Sequence, residues 1–337
     1  MFRIKEYKLI ISIKKRHYMN NLTLSDELLS RVSFIGKWVV KGKNYSFVTY
    51  PLIKNWYTPI IHRAGLVKRQ EFTLRDRKDS SFIFRLNMGV MGVLSNGLSY
   101  RKRKFDRNHI YFNYKGRKLS FFYDTKDRLL DTIEQVKDQF ITEEYRKLDV
   151  KGREVVDIGA SIGDTAIYFA TRGARHVYAF EAYPYSYRIA LKNVKLNNLN
   201  KKIMFFNECL GGKPGSILID ERFKSDERSP IMHFGKGKRI RVITLDEIVR
   251  RHNLKDAILK IDCEGCEYDI VLKTRPEVLR RFSQIMIEYH YGFRDIEKKL
   301  REAGFSIWHD LPTYGKNPVK GWKPMHWGFI LASRDKR

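Results

Sequence analysis

The sequence of 337 residues contains few cysteines and no long apolar run, and each scarcity excludes a class of protein. Three cysteines, at positions 209, 263 and 266, are too few for the disulfide framework of a small secreted domain. Their number is typical of a reducing compartment, so we expect a cytoplasmic protein. The apolar stretch LIISI (9–13) lies between Lys8 and Lys14. It is far shorter than the ~20 residues of a membrane span, and also shorter than the apolar part of a signal peptide.

Acidic residues are scarce relative to basic ones. The chain has 66 Lys and Arg against 38 Asp and Glu, which gives a formal net charge of +28. Such a charge attracts anionic partners, for example nucleic acid, lipid headgroups or acidic glycans, although it also serves solubility. The 43% of hydrophobic residues and the chain length suffice for a large buried core. Composition therefore indicates a folded, basic, globular protein.

Predicted strands and helices alternate from Val155 onward. Short runs rich in apolar residues predict strands at EVVDIGA, HVYAFEA, KIMFFNE, AILKIDCE and SQIMIEYH. Helical segments such as DTAIYFATRGA and PYSYRIALKNVKLNNL separate the first three of them. Strands that alternate with helices of ten or more residues predict a parallel, doubly wound sheet. Between residues 211 and 243 short strand-like pieces predict an insertion with a small β-hairpin.

The preceding part of the chain has a different pattern. We predict a mainly-β, basic accessory region over residues 1–140 and an α/β domain over residues 141–337. Strand-like segments in the first part are KWVVKGKNYSFVTY, EFTLRDR, SFIFRLN and HIYFNYKGRKLSFFYD. Apolar residues at helical spacing over residues 128–148 predict an amphipathic helix that joins the two parts.

The turn after the strand EVVDIGA lacks a glycine that a dinucleotide-binding motif requires. Its pattern is Asp157-x-Gly159-x-x-x-Gly163, with Ala160 and Ser161 where G-x-G-x-x-G needs its second glycine. A diphosphate is therefore a poor fit. The N-terminus of the following helix remains available to a smaller anion such as a carboxylate.

The next strand adds a second indication about the ligand. It ends in Glu181, 22 residues after Gly159, where a carboxylate can hydrogen-bond both hydroxyls of a ribose. An adenosine with an amino-acid tail fits both features, and S-adenosylmethionine is such a ligand. The sequence SIGD (161–164) also resembles a capping box at the start of the helix.

Further motifs follow in the order and spacing of one family. They are NECLGG, VITLDEIV, LKIDCEGCEYDIVL and IMIEYH, and the K-I-D-x-E-G-x-E pattern is the most specific. With them the sequence resembles the FkbM family of S-adenosylmethionine-dependent methyltransferases over about residues 143–335. The resemblance implies a Rossmann-like class I methyltransferase fold, in which MHWGFILASR is the antiparallel last strand of a seven-stranded sheet. It also implies S-adenosyl-L-methionine as the cofactor.

The resemblance implies roles for individual residues. The turn after the first strand shapes the space under the methionine moiety, and Glu181 binds the ribose. Two pairs of residues lie by the adenine, at 182–183 and 207–208, and Asp262 approaches the methionine amino group or the acceptor. The predicted cofactor-binding residues are Asp157, Gly159, Ala160, Ser161, Gly163, Glu181, Ala182, Tyr183, Asn207, Glu208 and Asp262.

The predicted catalytic residues are Asp262, Glu264 and His290. They follow two strands whose carboxyl ends meet at one edge of a parallel sheet. We predict His290 as the general base, because its ordinary pKa lies nearest neutrality. Glu267 suits the N-terminus of the next helix.

Two other interpretations of this segment stay open. Asp262, Glu264, Glu288 and His290 could hold Mg²⁺ or Mn²⁺, although our prediction includes no metal. The C-x-x-C of positions 263 and 266 allows a redox or metal role. Because small apolar residues suit both positions, we interpret the two cysteines as packing residues.

The leading functional hypothesis is O-methylation of a hydroxyl on a sugar, glycolipid or small metabolite. No N-P-P-Y-like tetrapeptide of amino-methylating enzymes follows the fourth strand, which favours an oxygen acceptor. One rival is an RNA methyltransferase that uses the basic segment RKRKFDRNHIYFNYKGRK (101–118). Phe105, Tyr111, Phe112 and Tyr114 would then stack on bases, whereas the same alternation also suits a hairpin with a solvated basic face. Another rival is a non-catalytic protein that retains the fold.

Overall fold

A computed structural model describes residues 71–75, 83–87, 108–124, 126–219, 237–310, 312–315 and 325–334. The chain divides into two compact units, Met1–Tyr100 and Arg101–Arg337. In the first unit, strands β1 (Glu71–Arg75) and β2 (Ile83–Asn87) pair antiparallel. These two strands confirm the predictions for EFTLRDR and SFIFRLN. The predicted strands of KWVVKGKNYSFVTY lie outside the described residues.

The second unit begins with a hairpin. Strands β3 (His109–Tyr114) and β4 (Arg117–Phe122) pair antiparallel. Lys115 and Gly116 join them with φ angles of 47° and 83°, as a two-residue turn with two left-handed positions requires. Along β3 every second side chain is buried, so one face of the hairpin packs inward. The predicted hairpin is confirmed.

Helix α1 (Lys126–Lys137) follows the hairpin and is shorter than predicted. A π-helical turn over Asp138–Thr142 and a 3₁₀ turn over Glu144–Lys147 replace the second half of the predicted helix. Glu143 between them has a left-handed φ of 51°, which a continuous right-handed helix does not contain. The prediction of one helix over 128–148 is therefore right for its first half only.

The rest of the unit is an α/β domain. Its strands are, in chain order, β5 (Glu154–Ile158), β6 (His176–Phe180), β7 (Ile203–Phe206), β8 (Cys209–Leu210), β9 (Gly215–Ile219), β10 (Lys238–Ile243), β11 (Ala257–Ile261), β12 (Phe282–Tyr289), β13 (Ser306–His309), β14 (Thr313–Gly315) and β15 (Met325–Ser333). Its helices are α2 (Asp164–Thr171), α3 (Pro184–Leu196), α4 (Leu245–Arg251), α5 (Glu267–Lys273), α6 (Pro276–Leu279) and α7 (Arg294–Glu302).

Seven strands form the main sheet in the order β13-β15-β12-β11-β5-β6-β7, and β14 pairs with β15 beside this path. The strands β5, β6, β7, β11 and β12 are parallel, and β15 runs antiparallel to β12. All five residues of β11 are buried, which explains its almost continuous apolar sequence. The predicted doubly wound sheet with an antiparallel last strand is confirmed.

The predicted insertion contains a small sheet of its own. Strands β9 and β10 pair antiparallel as the expected hairpin, and β10 also pairs parallel with β8. Throughout the described ranges, no helix is long and apolar enough to cross a membrane. The carboxyl ends of β5, β6, β11 and β12 meet at one edge of the main sheet, where the chain order reverses between β5 and β11. Ligands of doubly wound proteins bind at such a reversal.

Candidate active site

The turn after β5 is held tightly against its neighbours. The backbone N–H groups of Gly159 and Ala160 donate to Phe180 O at 3.0 and 3.1 Å. Gly159 has a φ of 73°, and a Cβ atom on it would overlap the backbone oxygen of Asp262. Glycine is therefore required here because the loops after β5 and β11 touch.

The predicted capping box in this turn is wrong. Helix α2 begins at Asp164, its N-cap is Gly163 with a φ of 85°, and no side chain caps it. Ser161 lies before the cap with a left-handed φ of 41° and donates its N–H to Glu181 Oε2 at 2.9 Å. The turn thus obtains its partner from the end of β6 instead of from a capping side chain.

Asp157 lies beneath the turn and is fully buried. Its Oδ2 accepts a hydrogen bond from Thr165 Oγ1 at 2.6 Å, and its Oδ1 is 3.3 Å from Lys260 Nζ. Burial raises the pKa of Asp157 above its ordinary value, although the Lys260 charge opposes this. Asp157 therefore supports the turn from inside the protein, and its predicted role beneath the methionine moiety stays a prediction.

Lys260 is a central residue that sequence reasoning missed. Its buried ammonium donates to the carbonyl oxygens of Ile158 and Gly159 at 3.2 and 2.8 Å and lies 3.7 Å from Asp262 Oδ2. Burial lowers its pKa, but the carboxylates of Asp157 and Asp262 outweigh burial and keep the pKa above the usual lysine value. The sequence did contain a signal for this role, namely a lysine inside the otherwise apolar strand AILKI. A buried charge requires a partner of opposite charge or hydrogen-bonding groups around it.

Glu181 stands at the end of β6 with 7% of its surface exposed. It accepts the N–H groups of Ser161 and Tyr183 at 2.9 and 2.8 Å, one on each carboxylate oxygen. Burial raises the pKa of Glu181 to about 7, and these two hydrogen bonds and Lys260 only partly oppose the rise. A carboxylate has about four lone-pair positions, so two remain for a ligand's hydroxyls.

The predicted adenine-side residues have partners within the protein. Asn207 donates to the carbonyl oxygens of Glu181 and Ala182 at 2.9 and 3.0 Å, and thereby ties the ends of β6 and β7 together. Tyr183 packs in a small core cluster with Cys209, Ile219 and Ile240. Glu208 forms ion pairs with Arg241 and Arg251 at 3.3 and 2.8 Å. Contacts of these residues with adenine stay a prediction.

The loop after β11 resembles the turn after β5 in its backbone. Glu264 and Gly265 have φ angles of 57° and 114°. Glu267, the first residue of α5, is fully buried, and its Oε1 accepts the N–H groups of Cys263 and Gly265 at 3.0 and 3.2 Å. The expectation that Glu267 begins the helix is confirmed, and the residue also holds the loop.

His290 lies between two carboxylates at the end of β12, with 4% of its surface exposed. Its Nδ1 is 3.0 Å from Glu267 Oε1, and its Nε2 is 3.3 Å from Glu264 Oε2. Burial lowers the pKa of His290, but Glu267, Glu264 and Asp262 outweigh burial and raise it to about 10. The expectation of a histidine pKa near neutrality is therefore wrong. His290, Glu264 and Asp262 nevertheless lie together, as predicted.

Two further side chains face this cluster. Tyr145, buried in the 3₁₀ turn before β5, donates its hydroxyl to Asp262 Oδ2 at 3.3 Å. Burial raises the pKa of the Glu288 carboxyl well above its ordinary value, and the Asp262 charge adds to the rise. The cluster is thus rich in carboxylates, and its members come from β11, β12 and the segment before β5.

The interpretation of the two neighbouring cysteines as packing residues needs a correction. Cys263 and Cys266 are joined by a disulfide bond across the loop that carries Glu264. They also pack against the main core, so the apolar part of the interpretation holds. Cys209 is buried and free. Because the two cysteines lie three residues apart at a sharp loop, their sulfur atoms come within bonding reach.

The hairpin and α1 contribute to the site, which the sequence did not predict. The buried Asn193 of α3 accepts from Phe122 N at 2.7 Å and donates to Ile162 O at 2.8 Å, so it links β4 to the turn after β5. A small pocket of about 20 Å³, open to solvent, lies between these elements. Side chains from both parts line it, among them Asp124, Arg128, Gln135, Ser161 and Tyr185.

The aromatic residues proposed for base stacking differ in exposure. Phe112 and Tyr114 are buried and pack against Phe140, so neither ring is available to a base. Tyr111 is partly exposed, and the segment 101–107 with Phe105 lies outside the described residues. The basic residues Lys115, Arg117 and Lys118 are exposed. The hairpin with a solvated basic face is therefore confirmed for its described part.

Parts of the chain are similar to curated proteins. One curated relative, a candidate protein N5-glutamine methyltransferase of Methanocaldococcus jannaschii, is 38% identical over 63 residues, or 19% of this chain and 31% of that protein. Another, a tRNA(Phe) (4-demethylwyosine(37)-C(7)) aminocarboxypropyltransferase of Pyrococcus horikoshii, is 24% identical over 161 residues, or 46% of this chain and 50% of that protein. The chain thus spans half or less of either relative.

A solved structure, a SAM-dependent methyltransferase from Agrobacterium tumefaciens, matches with a TM-score of 0.39 and 10% identity. The match covers 69% of this chain and 72% of that one. The strand order and the antiparallel β15 by themselves confirm the predicted Rossmann-like fold, a doubly wound seven-stranded sheet with an antiparallel last strand. Residues 157–307 match the family model of the methyltransferase FkbM domain. This segment contains Gly159, Glu181 and the cluster around His290, so the part of the chain that carries the candidate site is similar to the FkbM methyltransferase domain.

Proposed function

We propose that the protein is an S-adenosylmethionine-dependent methyltransferase that methylates a hydroxyl of a sugar, glycolipid or other small metabolite. The observation that carries the proposal is the meeting of Glu264 and His290 beside the turn at Gly159. Their side chains form an ion pair of 3.3 Å, and the turn touches the backbone of Asp262. A binding turn and a group able to accept a proton therefore stand side by side, as transfer of a methyl group to a hydroxyl requires.

The residues present fit the cofactor. The Glu181 carboxylate keeps two lone-pair positions after it has accepted the N–H groups of Ser161 and Tyr183, and these suit two ribose hydroxyls. The backbone at Ser161 and Gly163 leads into the N-terminus of α2, whose partial positive charge suits a carboxylate. Both features match an adenosine with an amino-acid tail.

When bound, S-adenosylmethionine would supply an electrophilic methyl group on a sulfonium leaving group. Glu181 and the turn orient this group relative to the acceptor. The Glu264 carboxylate takes the proton of the acceptor hydroxyl, because carboxylate oxygens are acceptors only. His290 positions Glu264 through Nε2 and is itself positioned by Glu267 through Nδ1.

An RNA acceptor is the alternative. The tRNA named for the Pyrococcus horikoshii relative and the net charge of +28 favour it. The burial of Phe112 and Tyr114 weakens it, since two of the proposed stacking rings are unavailable. Retention of the protein on RNA at low salt, lost steeply as salt rises, would support this alternative. A cytoplasmic location remains part of the proposal because of the low number of cysteines, whereas the Cys263–Cys266 disulfide weakens it, since disulfides are rare in a reducing compartment.

Two measurements test the proposal. Calorimetry should detect binding of S-adenosylmethionine to the full chain. Labelled S-adenosylmethionine, incubated with the protein and separately with glycan, lipid, small-molecule and RNA extracts, should transfer its methyl label to one of the first three. Label in RNA would favour the alternative acceptor. Cofactor binding without transfer to any extract would favour the non-catalytic protein.

A further inference from the structure

Three side chains with metal-binding atoms meet at the carboxyl ends of β11 and β12. One atom from each of Asp262, Glu264 and His290 lies within 4.8 Å of the other two. Within this group, His290 Nε2 is 3.3 Å from Glu264 Oε2. Two ligands of one ion, at bond lengths of about 2.1 Å and angles of about 90–109°, lie about 3.0–3.4 Å apart. The observed separation is that of two atoms able to share an ion.

A separate observation concerns the other nitrogen of the imidazole. His290 Nδ1 is 3.0 Å from Oε1 of the fully buried Glu267. Metal-bound histidines almost always donate the ring N–H that does not touch the metal to a carboxylate, a backbone carbonyl or a water, which fixes the ring and its tautomer. Glu267 is fixed in turn by the N–H groups of Cys263 and Gly265. These contacts of Glu267 hold the imidazole ring so that its Nε2 atom faces Glu264.

The chemistry of the ligand atoms indicates the class of ion. Two carboxylates and one imidazole suit Mg²⁺ or Mn²⁺, which prefer oxygen ligands and accept a nitrogen. Thiolates would favour zinc, but Cys263 and Cys266 are bonded to each other. Three protein ligands leave coordination positions for water or an acceptor oxygen.

We propose that Asp262, Glu264 and His290 bind one divalent cation of the Mn²⁺ or Mg²⁺ class, with Glu267 as the outer carboxylate. The cation replaces any proton on Nε2, and that proton leaves to solvent, so no redox step is involved. This inference rests on the proposed function, because it assigns the ion to the acceptor side of the same site. There the ion would bind the acceptor hydroxyl and lower the pKa of that hydroxyl, while Glu181 and the turn hold the cofactor.

Titration of the full chain with Mn²⁺, followed by the electron paramagnetic resonance signal of the free ion, tests the site directly. We expect one Mn²⁺ per chain, displaced by excess Mg²⁺. His290→Ala and Glu264→Gln should each weaken Mn²⁺ binding at least tenfold. Glu267→Gln should weaken it about 10- to 100-fold, the usual effect of an outer-shell change.

His309→Ala is the matched control. His309 also lies near a carboxylate, with Nε2 3.8 Å from Glu297 Oε2, but it sits on β13 away from the cluster. Its replacement should leave Mn²⁺ affinity unchanged. Should His290→Ala fail to fold, as judged by circular dichroism, the partly exposed Glu264→Gln carries the test. No loss of the free Mn²⁺ signal up to about 1 mM, or equal affinity in wild type and Glu264→Gln, would overturn the site.

The titration uses neither cofactor nor acceptor, so its outcome is separable from the proposed function. Normal Mn²⁺ binding in a chain that neither binds S-adenosylmethionine nor transfers methyl groups would support the cation site and contradict the proposed function. Methyl transfer that survives a chelator, in a chain that binds no Mn²⁺, would overturn the cation site and leave the proposed function standing.

Discussion

The loops after β5 and β11 have similar backbones but different chemistry. Each contains a non-glycine residue with left-handed φ, Ser161 at 41° and Glu264 at 57°, a conformation that costs about 1–2 kcal/mol. Each loop also donates backbone N–H groups to a buried carboxylate. Glu181 accepts from the first loop and keeps lone pairs for a ligand, whereas Glu267 accepts from the second and uses the same oxygen for His290.

The same arrangement, a loop whose N–H groups bind a buried carboxylate, therefore positions different groups in the two places. Under the proposed function, the Glu181 carboxylate beside the loop after β5 is itself the binding group, so this loop positions a ligand contact. The Glu267 carboxylate beside the loop after β11 orients an imidazole, so that loop positions a chemical group. Lys260 lies between the two and contacts the Gly159 carbonyl and the Asp262 carboxylate. A substitution in the loop after β5 should therefore affect cofactor binding, and a substitution in the loop after β11 should affect turnover.

The largest expected effect is on the acceptor side. His290→Ala removes the partner of Glu264 and should lower the methyl transfer rate about 10²- to 10⁴-fold, the usual share of proton-transfer catalysis. Affinity for S-adenosylmethionine should stay within about twofold, because the turn and Glu181 are untouched. Initial rates and calorimetry check both. His309→Ala, on β13, should retain the wild-type rate, and a His290→Ala variant with the wild-type rate would exclude the histidine from the reaction.

The second largest effect is expected from a substitution at the contact between the two loops. Gly159→Ala places a Cβ against the backbone of Asp262 and should lower the free energy of unfolding by about 2–4 kcal/mol and weaken cofactor binding. Gly152→Ala is the control, because Gly152 has a φ of 72° but open space around it. Its cost should be about 1 kcal/mol. Equal destabilisation of the two variants in urea unfolding would show that the loops do not need their close contact.

Reduction of the disulfide in the loop after β11 should lower the free energy of unfolding. The bond between Cys263 and Cys266 closes a loop of four residues, for which chain entropy predicts about 2 kcal/mol of stabilisation. Unfolding in urea with and without a dithiol reductant measures this value in the wild type. A variant with serine at both positions should not respond to the reductant. An unchanged wild-type midpoint would indicate that the bond does not contribute to stability.

The smallest expected effect is a pH dependence of cofactor binding. Because ribose hydroxyls donate to the charged form of Glu181, and the pKa of Glu181 is about 7, affinity should fall about tenfold between pH 8 and pH 6. Calorimetry at several pH values checks this. Asp164, whose burial raises its pKa to about 7, also titrates in this range. Glu181→Gln should therefore lose the dependence if Glu181 is its source and retain it if Asp164 is.

The same shift has a consequence for stability. The pKa of Glu181 in the folded protein exceeds its ordinary value, since burial disfavours the charge more than Ser161, Tyr183 and Lys260 favour it. Its contribution to stability is therefore full below the ordinary glutamate pKa and declines as pH rises through about 7. Bound cofactor should reduce this decline.

The sequence predicted the sheet, the turn and the meeting of Asp262, Glu264 and His290, because strand order in a doubly wound fold brings strand ends together. It did not predict the role of Lys260 or Asn193, since long-range partners of buried polar groups leave no local pattern. The pKa of His290 could not be predicted, because it depends on Glu267 and Glu264 at distances that only the folded loop defines. The length of α1 was overestimated because apolar spacing continues past Glu143, where the backbone turns left-handed.

The proposed function assigns cofactor binding to the loop after β5 and the chemistry to the loop after β11. Calorimetric titration of S-adenosylmethionine into Glu181→Ala, Glu264→Gln and the wild type tests this assignment most directly. Glu181→Ala removes charge-assisted hydrogen bonds to the ribose and should weaken binding by about 1.5–3 kcal/mol, or about 10- to 150-fold. Glu264→Gln should bind the cofactor as the wild type does. Wild-type affinity in Glu181→Ala, or a loss confined to Glu264→Gln, would contradict the assignment of cofactor binding to the loop after β5 and of chemistry to the loop after β11.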